Sequence, residues 1–212
     1  MRSAAYSAQF NSTPRIYMPT VAGAAASIVG SLVASANTNL TTAYNLDWLV
    51  VEPNVGAFSV RDHKASANLI VLGSLTGAAG TSLFAFSTLN WTDGTVTASS
   101  SNGGNARSAA AVSALTAVSI SATVPISAAP ITVDVYFSMD NNGGTVDTVS
   151  VSAAAAGAAT STQTLTAAGF AAGALSIARF VVSGSGNVTI TLTGTLGSTA
   201  RSLMFGGIGV HS

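Results

Sequence analysis

Few residues in this chain are equipped for chemistry. His63 and His211 are the only imidazoles, seven Asp and Glu supply every side-chain carboxylate, and cysteine is absent. Disulfides, thiolate zinc sites and cysteine nucleophiles are excluded together, and the redox compartment stays open. A serine hydrolase would need one of the two histidines as its base. No G-x-S-x-G elbow accompanies either. His211, next to the end of the sequence, reads as a solvated tail residue. His63 lies in Arg61-Asp62-His63-Lys64, the densest charge cluster in the chain. That cluster reads as a solvated loop between strands, or as an intersubunit ion-pair site through Arg61 and Asp62, rather than as a catalytic centre.

The remaining motifs divide in the same way. Gly184-Ser185-Gly186 and Gly206-Gly207-Ile208-Gly209 lack the lysine or the glycine spacing that cradles a phosphate, and read as turns. No carboxylate pair is signposted for glycoside hydrolysis. Asp140-Asn141-Asn142-Gly143-Gly144-Thr145-Val146-Asp147 has oxygen spacing that fits calcium through Asp140, Asn142 and Asp147. A third early acid and the closing glutamate are missing, so a hairpin turn is the better reading. Trp48 and Trp91, with Tyr44 and Tyr136, would form a platform for sugar if exposed; packing into a core is the preferred alternative. Thr189, Thr191, Thr193 and Thr195 resemble one course of the T-x-T arrays of ice-binding proteins, which need several stacked rows. With one row evident, a solvated or intersubunit face is expected, and Thr189, Thr191 and Thr193 join Arg15, Arg61 and Asp62 as candidate interface residues.

No catalytic residue, metal or cofactor is therefore nominated, and the composition becomes the main signal. Charged residues make up 7% of 212, against about 25% in ordinary soluble domains, and the seven cations and seven anions cancel. Without a basic surface to neutralise phosphates, neither nucleic acid nor an anionic membrane is expected as a partner. The uncharged run Val21 to Ala36 is too short and too rich in Gly and Ser for a spanning helix. It ends in Ala34-Ser35-Ala36, which has the form of a cleavage site, but Arg2 and Arg15 lie too far apart for a compact signal n-region, and no cleaved signal is expected.

Elements that would position these residues read mostly with period two. In Ile131 to Asp140, Ile131, Val133, Val135, Phe137 and Met139 take one face, while Thr132, Asp134, Tyr136, Ser138 and Asp140 take the other. The turn residues after Asp140 then predict a hairpin that resumes at Val149 and Val151. Val118 to Ile126 and Val188 to Thr195 alternate likewise, Pro125 marking an edge or a strand end. Further strands are predicted in Tyr44 to Val51, Asn68 to Leu72, Ser82 to Trp91, Ser176 to Val182 and Ser202 to Val210, separated by turns such as Glu52-Pro53-Asn54. Alanine-rich Val21 to Ala36, Ala106 to Ala117 and Ser152 to Ala174 read as short helices or packed loops. The expected fold is an all-β antiparallel sandwich, jelly-roll-like, over 44–212, with residues 1–43 as an extended N-terminal arm and interaction segment.

Soluble monomers keep charged surfaces and a net charge away from zero, and this chain has neither. Its non-core positions are Ser, Thr, Ala and Gly, which suit permanent burial against neighbours, because obligate interfaces are poor in charge. This character, joined to the β pattern, resembles virion structural proteins: bacteriophage capsid, decoration or fibre subunits with sandwich folds. The resemblance implies a non-enzymatic subunit located in the virion. Its partners would be its own copies, as a trimer or higher oligomer, and neighbouring virion proteins, with Met1 to Ala36 reaching a neighbour. Two rivals are a secreted bacterial adhesin or surface-layer subunit, and a carbohydrate-binding module.

Overall fold

The period-two segments become strands in the computed structural model, which describes residues 25–34, 38–54, 57–76, 89–95, 105–107, 116–139, 148–166, 176–196 and 202–212. In chain order the elements are β1 (Ser27–Ala34), β2 (Thr38–Asn39), α1 (Leu40–Ala43), β3 (Asp47–Asn54), β4 (Ala57–His63), β5 (Val71–Thr76), β6 (Leu89–Asn90) and β7 (Asn105–Arg107). They continue with β8 (Thr116–Ile126), β9 (Ile131–Met139), β10 (Thr148–Ala155), β11 (Ser161–Thr166), β12 (Ser176–Ser183), β13 (Gly186–Leu196) and β14 (Ser202–His211). Two antiparallel sheets result. Sheet I runs β1-β12-β9-β14-β3-β4, with β7 also on β14, and sheet II runs β11-β10-β13-β8-β5.

The all-β sandwich is thus established, and its strand order is more specific than that. Take β3, β8, β9, β10, β11, β12, β13 and β14 as a series. The first pairs with the last, the second with the seventh, the third with the sixth, and the fourth with the fifth. One long antiparallel hairpin rolled across two sheets has this nesting, which is the jelly roll. Strands β1, β4 and β5 extend it at the edges.

The inner faces meet in one core that includes Val124, Ile190, Val151, Val133, Val135, Phe137, Phe180, Val182 and Ile208. Each fully buried side chain of this size contributes about 1.5–3 kcal/mol. These are the residues that the alternation places on one face: Val133, Val135 and Phe137 in β9, Ile120 to Ile126 in β8, and Val188 to Leu192 in β13. Pro125 sits where the pairing of β8 with β5, which begins at Thr123, does not reach, and the missing N–H costs no ladder bond there.

Several expectations are corrected. Ile131 to Val151 is not a hairpin: β9 pairs with β12 and β14 in sheet I, and β10 pairs with β11 and β13 in sheet II. β9 and β10 therefore lie in different layers. Glu52-Pro53-Asn54 is no turn either, since β3 continues to Asn54, opposite Ala57. Gly206 to Gly209 lies inside β14, where a bulge falls between Phe205 and Gly207. A Cβ at Gly209 would run into the Tyr44 ring, so that glycine is needed for contact, not for turning.

The described parts of two alanine-rich segments also proved to be strands, while 108–115 and 167–174 lie outside the described residues. Residues 148–155 and 161–166 form the β10–β11 hairpin, and residues 27–34 form β1, bonded along its length to β12. Alanine's helix preference is worth under about 1 kcal/mol per residue. Burial of Val149, Val151 and Ala153 against the facing sheet outweighs it. Small residues also let the layers approach: a Cβ on Gly30 would lie 2.5 Å from Ser161 Oγ and 3.0 Å from Phe180 Cε1. Within the segment read as an arm, Ser27–Ala34 pairs with β12, and Thr38–Asn39 and Leu40–Ala43 form β2 and α1, while 1–24 and 35–37 lie outside the described residues. Among the described residues no helix is long and apolar enough to cross a membrane.

Candidate functional site

The two outer faces of the sandwich differ in chemistry. On sheet I, the outward positions Trp48, Val50, Tyr136 and Ile177 do not meet solvent. Leu40 and Tyr44, from the α1 region, and Leu89 and Trp91, around β6, close over them as a second apolar cluster. Trp48 and Trp91 pack with ring centroids 5.4 Å apart. Both are buried, at 0% and 1% exposure, which is the preferred core reading, and the alternative sugar platform has no accessible ring face.

Three carboxylates are buried beside this cluster, and each already has its donors. Asp134 accepts Arg179 Nε at 2.8 Å, Arg179 Nη2 at 2.8 Å and the Tyr44 hydroxyl at 3.0 Å. The Tyr44 and Tyr136 hydroxyls share a short hydrogen bond. Asp62 accepts Trp91 Nε1 at 2.6 Å, the Thr95 hydroxyl at 2.5 Å and the backbone N–H groups of Thr95 and His63. Asp47 accepts the backbone N–H groups of Trp48, Leu69 and Ile70, latching residues 69–70 to β3. Asp93, partly exposed, accepts the Thr41 hydroxyl at 2.7 Å and Trp48 Nε1 at 3.0 Å, and pairs with Lys64 Nζ at 3.3 Å.

Electrostatics follow from these contacts. Burial pushes the Tyr44 phenol well above its ordinary range, and Tyr136 and Asp134 beside it push the same way. Burial also raises Tyr136, although hydrogen bonds with Thr38 and Tyr44 pull against it. For Arg179, the hydrogen bonds to Asp134 raise an already high value against the desolvation that opposes them. Desolvation works to raise Asp93, and the hydrogen bonds from Thr41, Lys64 and Trp48 outweigh it, leaving the carboxyl below the usual range. Through these bonds the buried tyrosine and carboxylates tie loops to the sheet.

The charge cluster at residues 61–64 is therefore no solvated loop. Arg61, Asp62 and His63 lie in β4, and Lys64 bridges to Gly94. Asp62, named as an interface candidate, is 2% exposed and points inward to Trp91 and Thr95, so it is removed from that set. Lys64 Nζ also donates to the Tyr44 carbonyl at 2.8 Å. His63 is half-buried beside Asp47 in a cavity of about 80 Å³ that Leu49 and Ile70 also line. A volume of that size holds a few waters and is too small for most organic ligands. His211 is not a loose tail but a residue of β14 opposite Thr132, its ring 5.9 Å from that of Tyr44. The calcium-like loop Asp140, Asn142, Asp147 and the candidate Arg15 lie outside the described residues. Among the described residues, no group of three or more His, Asp or Glu gathers to hold a metal.

Sheet II presents the opposite picture. No residue of β5, β8, β10, β11 or β13 is charged, and among the described residues every charged one that lies in a strand belongs to sheet I. Alternation sends Thr189, Thr191 and Thr193 outward from β13 between the buried Val188, Ile190 and Leu192. The register sets them in rows. Thr164, Ser150, Thr193 and Ser119 lie side by side across four strands, as do Thr162, Ser152, Thr191 and Ser121. Ala154, Thr189, Thr123 and Val71 continue the pattern. The single threonine course read from the sequence is thus one column of a hydroxyl array, whose other columns are Ser and Thr of strands distant in the chain. No local spacing announces it; only the pairing of β11, β10, β13 and β8 assembles it. No protein family, curated protein or solved structure matches this chain.

Proposed function

We propose that this chain is a non-enzymatic structural subunit of a virus particle, a capsid, decoration or fibre protein that acts by assembling with its own copies and with neighbouring virion proteins. The observation that carries the reading is the segregation of charge. One whole sheet of a jelly roll has an outer face of hydroxyls and small side chains without a single ionised group. A face of that kind suits burial against protein, where an unpaired charge would be costly. The buried acids of sheet I fit the same role, since their bonds brace loops that would otherwise stand free. Burial of Trp48 and Trp91 removes the residues on which the carbohydrate-binding rival stood.

The test is electron microscopy of native particles with an antibody against this chain, together with N-terminal sequencing of the native protein. Regular labelling of particles supports the reading. A native chain starting at Asn37 on a cell surface would overturn it in favour of the adhesin or surface-layer subunit. Such cleavage would also strip β1 from β12.

A further inference from the structure

We propose that the uncharged outer face of sheet II binds the same face of a second copy of this chain about a two-fold axis. The proposal rests on the assembly reading above and adds to it the surface and the partner. In an isologous contact each patch meets its own image. A carboxylate or guanidinium group on or near that axis then meets its own copy, which opposes association. Hydroxyls escape this difficulty because each one both donates and accepts. Ser150 and Thr164 already pair in this way within one chain, oxygen to oxygen at 2.8 Å.

The area is sufficient. Five strands of six to eleven residues make up the sheet. At about 3.3 Å per residue and about 4.8 Å per strand they present roughly 650 Å². Two such faces bury roughly 1,300 Å², within the range of stable specific interfaces. Val71, 58% exposed at the β5 edge, adds apolar surface to this face. The opposite side of the sandwich makes no equal offer, because Leu40, Tyr44, Leu89 and Trp91 already cover much of sheet I. A partner with a charged face would find no counter-charge here, which leaves the chain's own copy as the matched occupant.

The experiment is sedimentation velocity of the full chain from about 1 to about 100 μM, a range that spans affinities expected of an interface this size. Three variants accompany the wild type, each checked for native circular dichroism. Thr191→Arg places a cation in the middle of the array. Thr164→Lys does so at an exposed position of β11, where folding tolerates it. Val29→Lys, at a residue 64% exposed on sheet I, is the control. The expected result is a dimer for wild type and Val29→Lys, monomer for Thr191→Arg, and at least a tenfold weaker dimer for Thr164→Lys. If Thr191→Arg does not fold, Thr164→Lys decides. Folded Thr191→Arg or Thr164→Lys variants that dimerise as wild type does would overturn the proposal and leave the assembly reading standing through another surface. A wild-type chain that is monomeric throughout would also overturn it, and labelled particles would then separately decide whether the assembly reading survives.

Discussion

Arg179→Met is the substitution that most directly probes how sheet I is held together. Asp134 is 1% exposed, and the change removes two of its charge-assisted bonds, both 2.8 Å long, leaving only the Tyr44 hydroxyl. Breaking a buried ion pair from one side costs about 3–5 kcal/mol. The Arg179 side chain is 39% exposed, so water reaches the vacated space and the expected loss falls to about 2–3 kcal/mol. Asp134→Asn should cost less, about 1–2 kcal/mol, because a half-exposed guanidinium can turn to solvent. The double variant Arg179→Met with Asp134→Asn buries no charge and should lose only about 1–2 kcal/mol, well below the sum of the single changes. Urea unfolding followed by far-UV circular dichroism and tryptophan fluorescence measures all three. With a slope of about 2.5 kcal/mol/M, the Arg179→Met midpoint should fall by about 1 M. A loss under about 0.5 kcal/mol, or a double variant as unstable as the sum of the singles, would refute the claim that the pair acts as a unit.

Alkaline pH should destabilise the fold. Burial holds the Tyr44 and Tyr136 phenols above their ordinary value of about 10, so their contribution is fully present below pH 10 and is lost as pH rises beyond it, by up to about 1.4 kcal/mol per pH unit for each. Replacing both by Phe should flatten that slope in urea titrations run from neutral to alkaline pH. Trp91→Phe, which deprives Asp62 of a 2.6 Å donor and leaves a void, should cost about 2–3 kcal/mol in chemical denaturation. Gly209→Ala drives a methyl into the Tyr44 ring and should cost about 1–3 kcal/mol, with a visible change in near-UV tyrosine signal.

The alternation of Val133, Val135 and Phe137, and of Val188, Ile190 and Leu192, was legible because a strand's side-chain period is local: two residues decide which face a third occupies. Composition was legible for the same reason, since counting charges requires no partner. Sheet membership was not. The residues after β9 promised a hairpin, yet β9 and β10 lie in different layers, because nested pairing of β3 with β14, β8 with β13 and β9 with β12 satisfies more backbone bonds and buries both inner faces at once. Ser27–Ala34 and Ser161–Thr166 carry weak local preferences, and the neighbouring strands and the facing sheet decided their state.

Partnerships between charges were equally hidden. Asp134 and Arg179 are 45 residues apart and meet only through the β9–β12 register, as Asp62 and Trp91 meet only once the β6 segment packs over β4 and the rest of sheet I. By itself the chain's composition determined that an extensive surface would lack charge. Only the tertiary structure decided that this surface would be one continuous face, because strands remote in sequence bring their hydroxyls into line through hydrogen bonds that no local window contains.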